Sequence, residues 1–371
     1  MRKHPRSFLR ATAALVACGF VVAASAQVSA TTEPPDTGPS DAPTTTNAPA
    51  TTGAPTTVAP TTVAPTTTVA PTTVAPTTVP AVVERQPLTG VPIDGTLVTY
   101  TPRPALIVKI DNVEAQPQAG LNQADIVFEE IVEGATRFAA VFNSTDSDPV
   151  GPIRSGRTQD IELFSSFNDP VFAYSGGNDG VNAALIATGW TLLTQGNGMF
   201  RDNTYHGAPH NLFGNTSEFF TLAGESANAV PQFEYVAPGT QPAGTPVSTI
   251  DVSIGGSSVN WAWDAAQGLF LRSQNGSTHD TTTGQASANT VIVLSVPYGQ
   301  SPAGGVPEAQ TTGTGRVVVY TAGQRIEGTW TRNDASEPFS LTDASGAPIL
   351  LSPGRTWVEL ADAASSTFTD A

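Results

Sequence analysis

The sequence predicts an α+β fold: a mixed α/β N-terminal module, then a small antiparallel β-rich module, with a disordered Thr/Pro-rich stalk ahead of both. Three observations predict it. Residues 27–83 are low in complexity, residues 87–230 mix strand-like and helix-like apolar patterns, and residues 246–363 carry strand-like patterns separated by glycine turns. A Pro/Gly/Ala-rich stretch, 231–245, reads as the linker between the modules.

Residues 1–26 read as a signal peptide. A basic segment, MRKHPRSFLR, precedes an apolar run from Ala11 to Ala24 that is too short to span a bilayer, which takes about 20 residues. Ala24-Ser25-Ala26 offers an A-x-A cleavage site, and Leu15-Val16-Ala17-Cys18 offers a lipobox with Cys18 as the lipidation candidate. A-x-A cleavage is favoured because the apolar run continues past Cys18. Both readings place the body outside the cytoplasm, with contact to the membrane only through an N-terminal lipid. In the stalk, 19 of the residues from Thr31 to Pro80 are Thr and 11 are Pro, with APTTV recurring at Ala54, Ala59, Ala70 and Ala75. The repeat has almost nothing apolar to bury, so an extended, unpacked chain is expected, reaching on the order of 170 Å.

Within the first module, Pro104–Asn112 reads as a strand with Leu106, Val108 and Ile110 on one face. Ala124–Val132 and Arg137–Asn143 follow as strands. Ser155–Phe167 reads as a helix capped at Ser155 or Thr158. Val171–Tyr174 is a short strand, and Asn178 caps a helix through Val181 and Leu185. Asn215-Thr216-Ser217-Glu218 resembles a capping box before Phe219 and Phe220. In the second module, 259–263, 269–272, 290–296, 316–320, 324–332 and 357–360 read as strands, with turns at Ala322-Gly323, Gly328 and Ser345-Gly346. Trp261, Trp263, Trp330 and Trp357 read as core or core-edge aromatics, with a sugar-stacking platform as the sharper alternative.

The composition narrows the function. The 371 residues carry 16 Lys+Arg against 32 Asp+Glu, a formal charge of −16, and only two lysines, Lys3 and Lys109. So acidic a chain repels phosphate backbones, and no nucleic-acid partner is expected. Cys18 is the single cysteine, so there is no internal disulfide and no cysteine-based metal site. No cofactor is expected.

Scarce basic residues therefore stand out. Arg154 and Arg157 flank Ser155 directly before the expected helix, where guanidinium groups and helix N–H groups together suit an anion. Pairing of both arginines with the acidic cluster Asp125, Glu129, Glu130 and Glu133 is the rival reading. As neighbours in a strand, Glu129 and Glu130 must point to opposite faces. Asp111 and Asn112 end a buried strand, where polar side chains reach a pocket or form an Asx turn. Arg201, His210 and Asn211 form another polar cluster. His206 and His210 have helix-face spacing for zinc, but Gly207 and Pro209 argue against a helix, so no metal is expected.

These same residues carry a resemblance. VKIDN, AQPQAGLNQADIVFEEIVEGATRF, PVGPIRSGR, YSGGN and RDNTYHGAPHNLF, followed by VNWAWDAAQGLFLR, NTVIVLSV, GTGRVVVYTAGQRIEGTW and LLSPGRTWVEL, resemble the YerB-like family (domain of unknown function 3048) in both its modules, from about Pro87 to about Leu360. The resemblance implies an extracytoplasmic bacterial protein, often lipid-anchored, with no assigned reaction. Its motifs coincide with the ligand-binding candidates Asp111, Asn112, Arg154, Ser155, Arg157, Arg201, His210 and Asn211. The expected function is a non-enzymatic cell-envelope module recognising a polar or anionic ligand, either a cell-wall component or an envelope protein. The alternative is a wall-polymer hydrolase using an Asp/Glu pair drawn from Asp111, Asp125, Glu129, Glu130 and Glu133, assisted by His210.

Overall fold

A computed structural model describes residues 83–94 and 100–371. The leader, Cys18 and all but the last residue of the Thr/Pro-rich tract lie outside the described residues. Labelling strands of three residues or more, the body is built from β1 (Leu106–Asp111), β2 (Ile126–Val132), β3 (Ala135–Phe142), α1 (Gln159–Phe164), β4 (Val171–Ala173), α2 (Asp179–Ala187), β5 (Thr191–Leu193) and α3 (Thr216–Ala223). After these come β6 (Thr249–Ile254), β7 (Ser257–Asp264), β8 (Leu269–Gln274), β9 (Thr290–Val296), β10 (Tyr298–Gln300), β11 (Pro307–Ala309), β12 (Gly313–Thr321), β13 (Gln324–Arg332), β14 (Ser340–Asp343), β15 (Thr356–Asp362) and β16 (Thr367–Asp370).

One mixed sheet runs β14-β13-β12-β9-β15-β2-β3-β1-β4-β5, with a short strand at Thr245–Pro246 on β13. It draws strands from both halves of the chain. β15 sits parallel between β9 and β2, with Ile126 opposite Thr356 and Glu129 opposite Glu359. Strands buried on both faces read as continuous apolar runs, as LIVKID and TVIVLSV do. The second, antiparallel sheet is β8-β7-β6-β16 with two short strands on β8. It packs Ile250, Val252, Val259, Trp261 and Phe270 against the face bearing Leu106, Val108, Ile110 and Val127. The other face, with Ile107, Phe128, Ile292 and Leu294, is covered by Leu163, Phe164, Phe167, Val181 and Leu185 of the helical layer.

The expectation of an antiparallel C-terminal module holds for 249–288 and fails for β9 and β15, which run parallel. Trp261, Trp330 and Trp357 are fully buried, each worth about 1.5–3 kcal/mol of apolar burial or more, so they offer no platform. Gly328 is not a turn. It lies inside β13 opposite Asp343, where a Cβ would meet the Thr342 carbonyl oxygen at 2.0 Å. Ala322-Gly323 does make the hairpin turn, with φ of +51° and +70°.

Two expected caps make no side-chain hydrogen bond. Of the two caps offered for α1 the helix takes Thr158, starting at Gln159, and Ser155, Gly156 and Arg157 lie outside it. The backbone explains it: the Arg154 N–H donates to the Lys109 carbonyl, while the Arg154 carbonyl accepts from the Ser175 N–H. At α3, Asn215 gives no side-chain cap. Instead the Asp148 carboxylate accepts from the Ser217 N–H and hydroxyl. Asn178 caps α2 as expected, accepting from the Val181 N–H at 2.9 Å.

Candidate functional site

The carboxyl ends of the parallel strands β1, β4 and β5 open onto a cleft of about 560 Å³, the end of such strands where ligands commonly bind. Its lining includes Arg154, Ser155, Arg157, Ser175, Gly176, Gly177, Asn178, Gln195 and Arg201. Ile153, Arg154, Ser155 and Arg157 supply one wall of it. Ile153 donates to the Leu212 carbonyl, and Gly156 to that of Gly176. A Cβ at Gly156 would come within 3.1–3.2 Å of Leu185, Phe172 and Tyr174, so the close approach of this segment to β4 and α2 requires glycine.

Four of the expected residues, Arg154, Ser155, Arg157 and Arg201, line this cleft, and Asp111 and His210 adjoin it beside Arg154. Asp111 ends β1, fully buried, and its Oδ2 takes Arg154 Nε at 2.9 Å and His210 Nδ1 at 2.7 Å. The terminal nitrogens of Arg154 have no partner among the described residues. Arg157 is engaged differently: one terminal nitrogen donates to both oxygens of Glu133 at 2.8 Å. Burial alone would push the Glu133 carboxyl up, but the Arg157 hydrogen bonds and charge hold it below the usual carboxylate range. Arg137 lies beneath, donating to the Ser155 carbonyl. Burial and then the Arg157 charge pull its guanidinium down to about 10, so it stays cationic at neutral pH.

The other expectations divide. Arg201 lines the cleft and donates to Asn211 Oδ1 at 2.6 Å, which makes the buried Asn211 a positioning group for Arg201. Asn112 does not join the cleft. One residue beyond Asp111, it points to the opposite face and donates to Thr136 Oγ1 and Gln274 Oε1. The anion-binding role expected of α1 is also corrected, because Asp160 already accepts from the Arg157 N–H there. The helix start bordering the cleft is that of α2, at Gly177 and Asn178. His206 and His210 sit in a non-helical loop.

The acidic candidates do not converge. Asp125 is buried at the opposite end of β2, bound to the Ser144 N–H and hydroxyl, with its carboxyl pushed up to about 6 mainly by burial. Glu129 and Glu130 do take opposite faces. Glu129 meets Arg272 at 2.6 Å in a buried network that includes Thr136, Gln274 and His279. Across the β2–β15 register lies Glu359, which accepts from Trp261 Nε1; burial and then the Glu129 charge raise its carboxyl well above the usual range. His279 stays neutral, pushed down by burial and by Arg272.

Glu130 belongs to a second buried network directly under the cleft. Lys109 Nζ donates to Glu130 at 2.7 Å and to Asp160 at 2.8 Å, with Gln159 also donating to Glu130. Lys109, Arg272, His279 and Glu359 were not among the site candidates read from the sequence. Their only signal is a lone charged or polar residue inside an apolar run, as in LIVKI and WVELA. Burial, then Asp160, push the Glu130 carboxyl up to about 7 from 4.5. A raised folded value stabilises fully below the unfolded value and loses that contribution as pH rises through the folded one. Stability should therefore fall between about pH 4.5 and 7, with Asp125 contributing below pH 6. Glu130→Gln should flatten that fall in urea midpoints measured from pH 4.5 to 8; an unchanged slope would reject the assignment.

Models of two protein families match the chain. One described as "Protein of unknown function (DUF3048) N-terminal domain" covers residues 88–229, and one described as "Protein of unknown function (DUF3048) C-terminal domain" covers residues 249–358. A Bacillus subtilis (strain 168) protein described as "Putative lipoprotein YerB" is 26% identical over 292 residues, 74% of this chain and 86% of that protein. The crystal structure of YerB protein from Bacillus subtilis aligns with a TM-score of 0.66 at 22% identity, covering 77% of this chain and 99% of that one, a likeness of fold.

Proposed function

The chain belongs to the DUF3048 family, and from that premise we propose that it is an extracytoplasmic cell-envelope protein that binds a carboxylate-bearing cell-wall fragment without turning it over. The likeness to a protein described as a lipoprotein supports the address, as does the apolar leader. A lipid on Cys18 would anchor the chain, whereas A-x-A cleavage after Ala26 would remove Cys18 and release it.

The observation that carries the reading is Arg154. Its Nε lies 2.9 Å from buried Asp111 Oδ2 as an ion pair without hydrogen-bond alignment, and its terminal nitrogens have no acceptor among the described residues, in a polar cleft that Arg154 lines. A planar pair of N–H donors matches a carboxylate. Ser155, Ser175, Asn178 and Gln195 around it suit hydroxyl and amide groups of a sugar or stem peptide. Arg157 has its charge matched by Glu133, so it shapes the wall more than it recruits an anion. The hydrolase alternative loses support because, of its candidate acids, Asp111, Glu129, Glu130 and Glu133 are each paired with a cation and Asp125 is buried at the far end of β2 on Ser144.

Calorimetry with purified muropeptides tests this. Arg154→Ala should weaken binding about 10–100-fold, the worth of a charge-assisted hydrogen bond. Arg157→Ala should cost less. Equal affinity for the wild type and Arg154→Ala would remove the cleft as the site, and new digestion products would restore the hydrolase.

A further inference from the structure

We infer that anion capture at Arg154 is coupled to uptake of one proton by His210. The inference rests on the reading of the cleft as an anion site and adds what regulates it. Its basis is that a single oxygen, Asp111 Oδ2, serves both Arg154 Nε at 2.9 Å and His210 Nδ1 at 2.7 Å. Asp111 is fully buried, whereas the Arg154 and His210 side chains are 23% and 22% exposed.

The shared carboxylate fixes the imidazole. In the neutral ring, Nδ1–H donates to Asp111 and Nε2 carries a lone pair. Nε2 has no partner among the described residues, and the ring stands beside the cleft, next to lining residue Pro209 and joined through Asp111 to lining residue Arg154. With His210 neutral, Asp111 and Arg154 cancel, and the lone pair on Nε2 repels an arriving anion. With His210 protonated, the trio carries one net positive charge and Nε2 becomes a donor. The anion therefore prefers the protonated form, and linkage requires that binding draw a proton from solvent onto Nε2.

Other charged groups nearby are committed elsewhere. Arg137 lies opposite Asp111 in the β1–β3 register and donates to the Ser155 carbonyl. Arg157 is matched by Glu133, Arg201 rests on Asn211, and exposed Asp202 binds Thr204. None of them has a described contact with the imidazole.

The test is calorimetry of N-acetylmuramic acid binding to the full chain at pH 7.5, in buffers of different ionisation enthalpy. Binding should be accompanied by net proton uptake of at most one per ligand, and affinity should fall as pH rises, by at most tenfold per pH unit. In His210→Gln, uptake should vanish and affinity become independent of pH from 6 to 8. As a measurement needing no variant, the His210 ring resonance should titrate at higher pH with ligand present. Binding without proton uptake, uptake that survives His210→Gln, or an unmoved titration overturns the coupling alone. Absence of binding to the wild type overturns the anion site and the coupling with it.

Discussion

Lys109→Met should lower the unfolding free energy by about 3–5 kcal/mol, the cost of breaking a buried ion pair from one side. Among the described residues Lys109 is the sole cation in contact with Glu130 and Asp160, and all three side chains are fully buried. Methionine fills a similar volume but leaves two carboxyl groups facing each other with no countercharge. Both must then take up protons or force the β1–β2–α1 contact apart. The loss should shrink at pH 5, where protonation is cheap, and grow toward pH 8. Lys109→Met combined with Asp160→Asn should recover part of it. Urea unfolding of wild type, both single variants and the double variant at two pH values checks the claim; a Lys109→Met loss below about 1 kcal/mol at pH 8 would refute it.

Arg272→Met should cost a similar ~3–5 kcal/mol, through the other face of β2. Its guanidinium pairs with Glu129 and lies 5.1–5.8 Å from the ring centroids of Phe138, Trp261 and Trp357. Without it, Glu129 stands opposite Glu359 with no cation, and His279 Nδ1 loses its donor. The readout differs from that of Lys109, because two tryptophans report directly: near-ultraviolet circular dichroism should weaken along with the melting temperature. Adding Glu129→Gln should restore stability but not the aromatic signal. An Arg272→Met protein as stable as wild type would show that the network is dispensable.

Much of the fold was legible because local pattern and burial agree. LIVKID, IVFEEIV, TVIVLSV and QRIEGTWTR read as strands and form strands. Thr249–Ile254 escaped despite its alternating burial, since it follows directly on a stretch that reads as a linker. The helix expected from Ser155 was cut short by hydrogen bonds to Lys109 and Ser175, partners that apolar spacing does not reveal. At the site, scarcity was the guide: Arg154, Arg157 and Arg201 stand out in a chain so poor in basic residues. Asp111 and Asn112 were grouped as neighbours in sequence, but the strand's period of two sends them to opposite faces. That Arg154 reaches Asp111 while Arg157 reaches Glu133 depends on the path of segment 150–157, which only the folded chain fixes.

The position of β15 has a consequence for biosynthesis. Ribosomes deliver β1, β2 and β3 more than 200 residues before the strand that completes their sheet. Until Thr356–Asp362 arrives, the edge of β2 stays open, so the early half is held back from closing on its own. Under the extracytoplasmic address proposed above, such a delay is an advantage. The late-arriving β15 then acts as the latch.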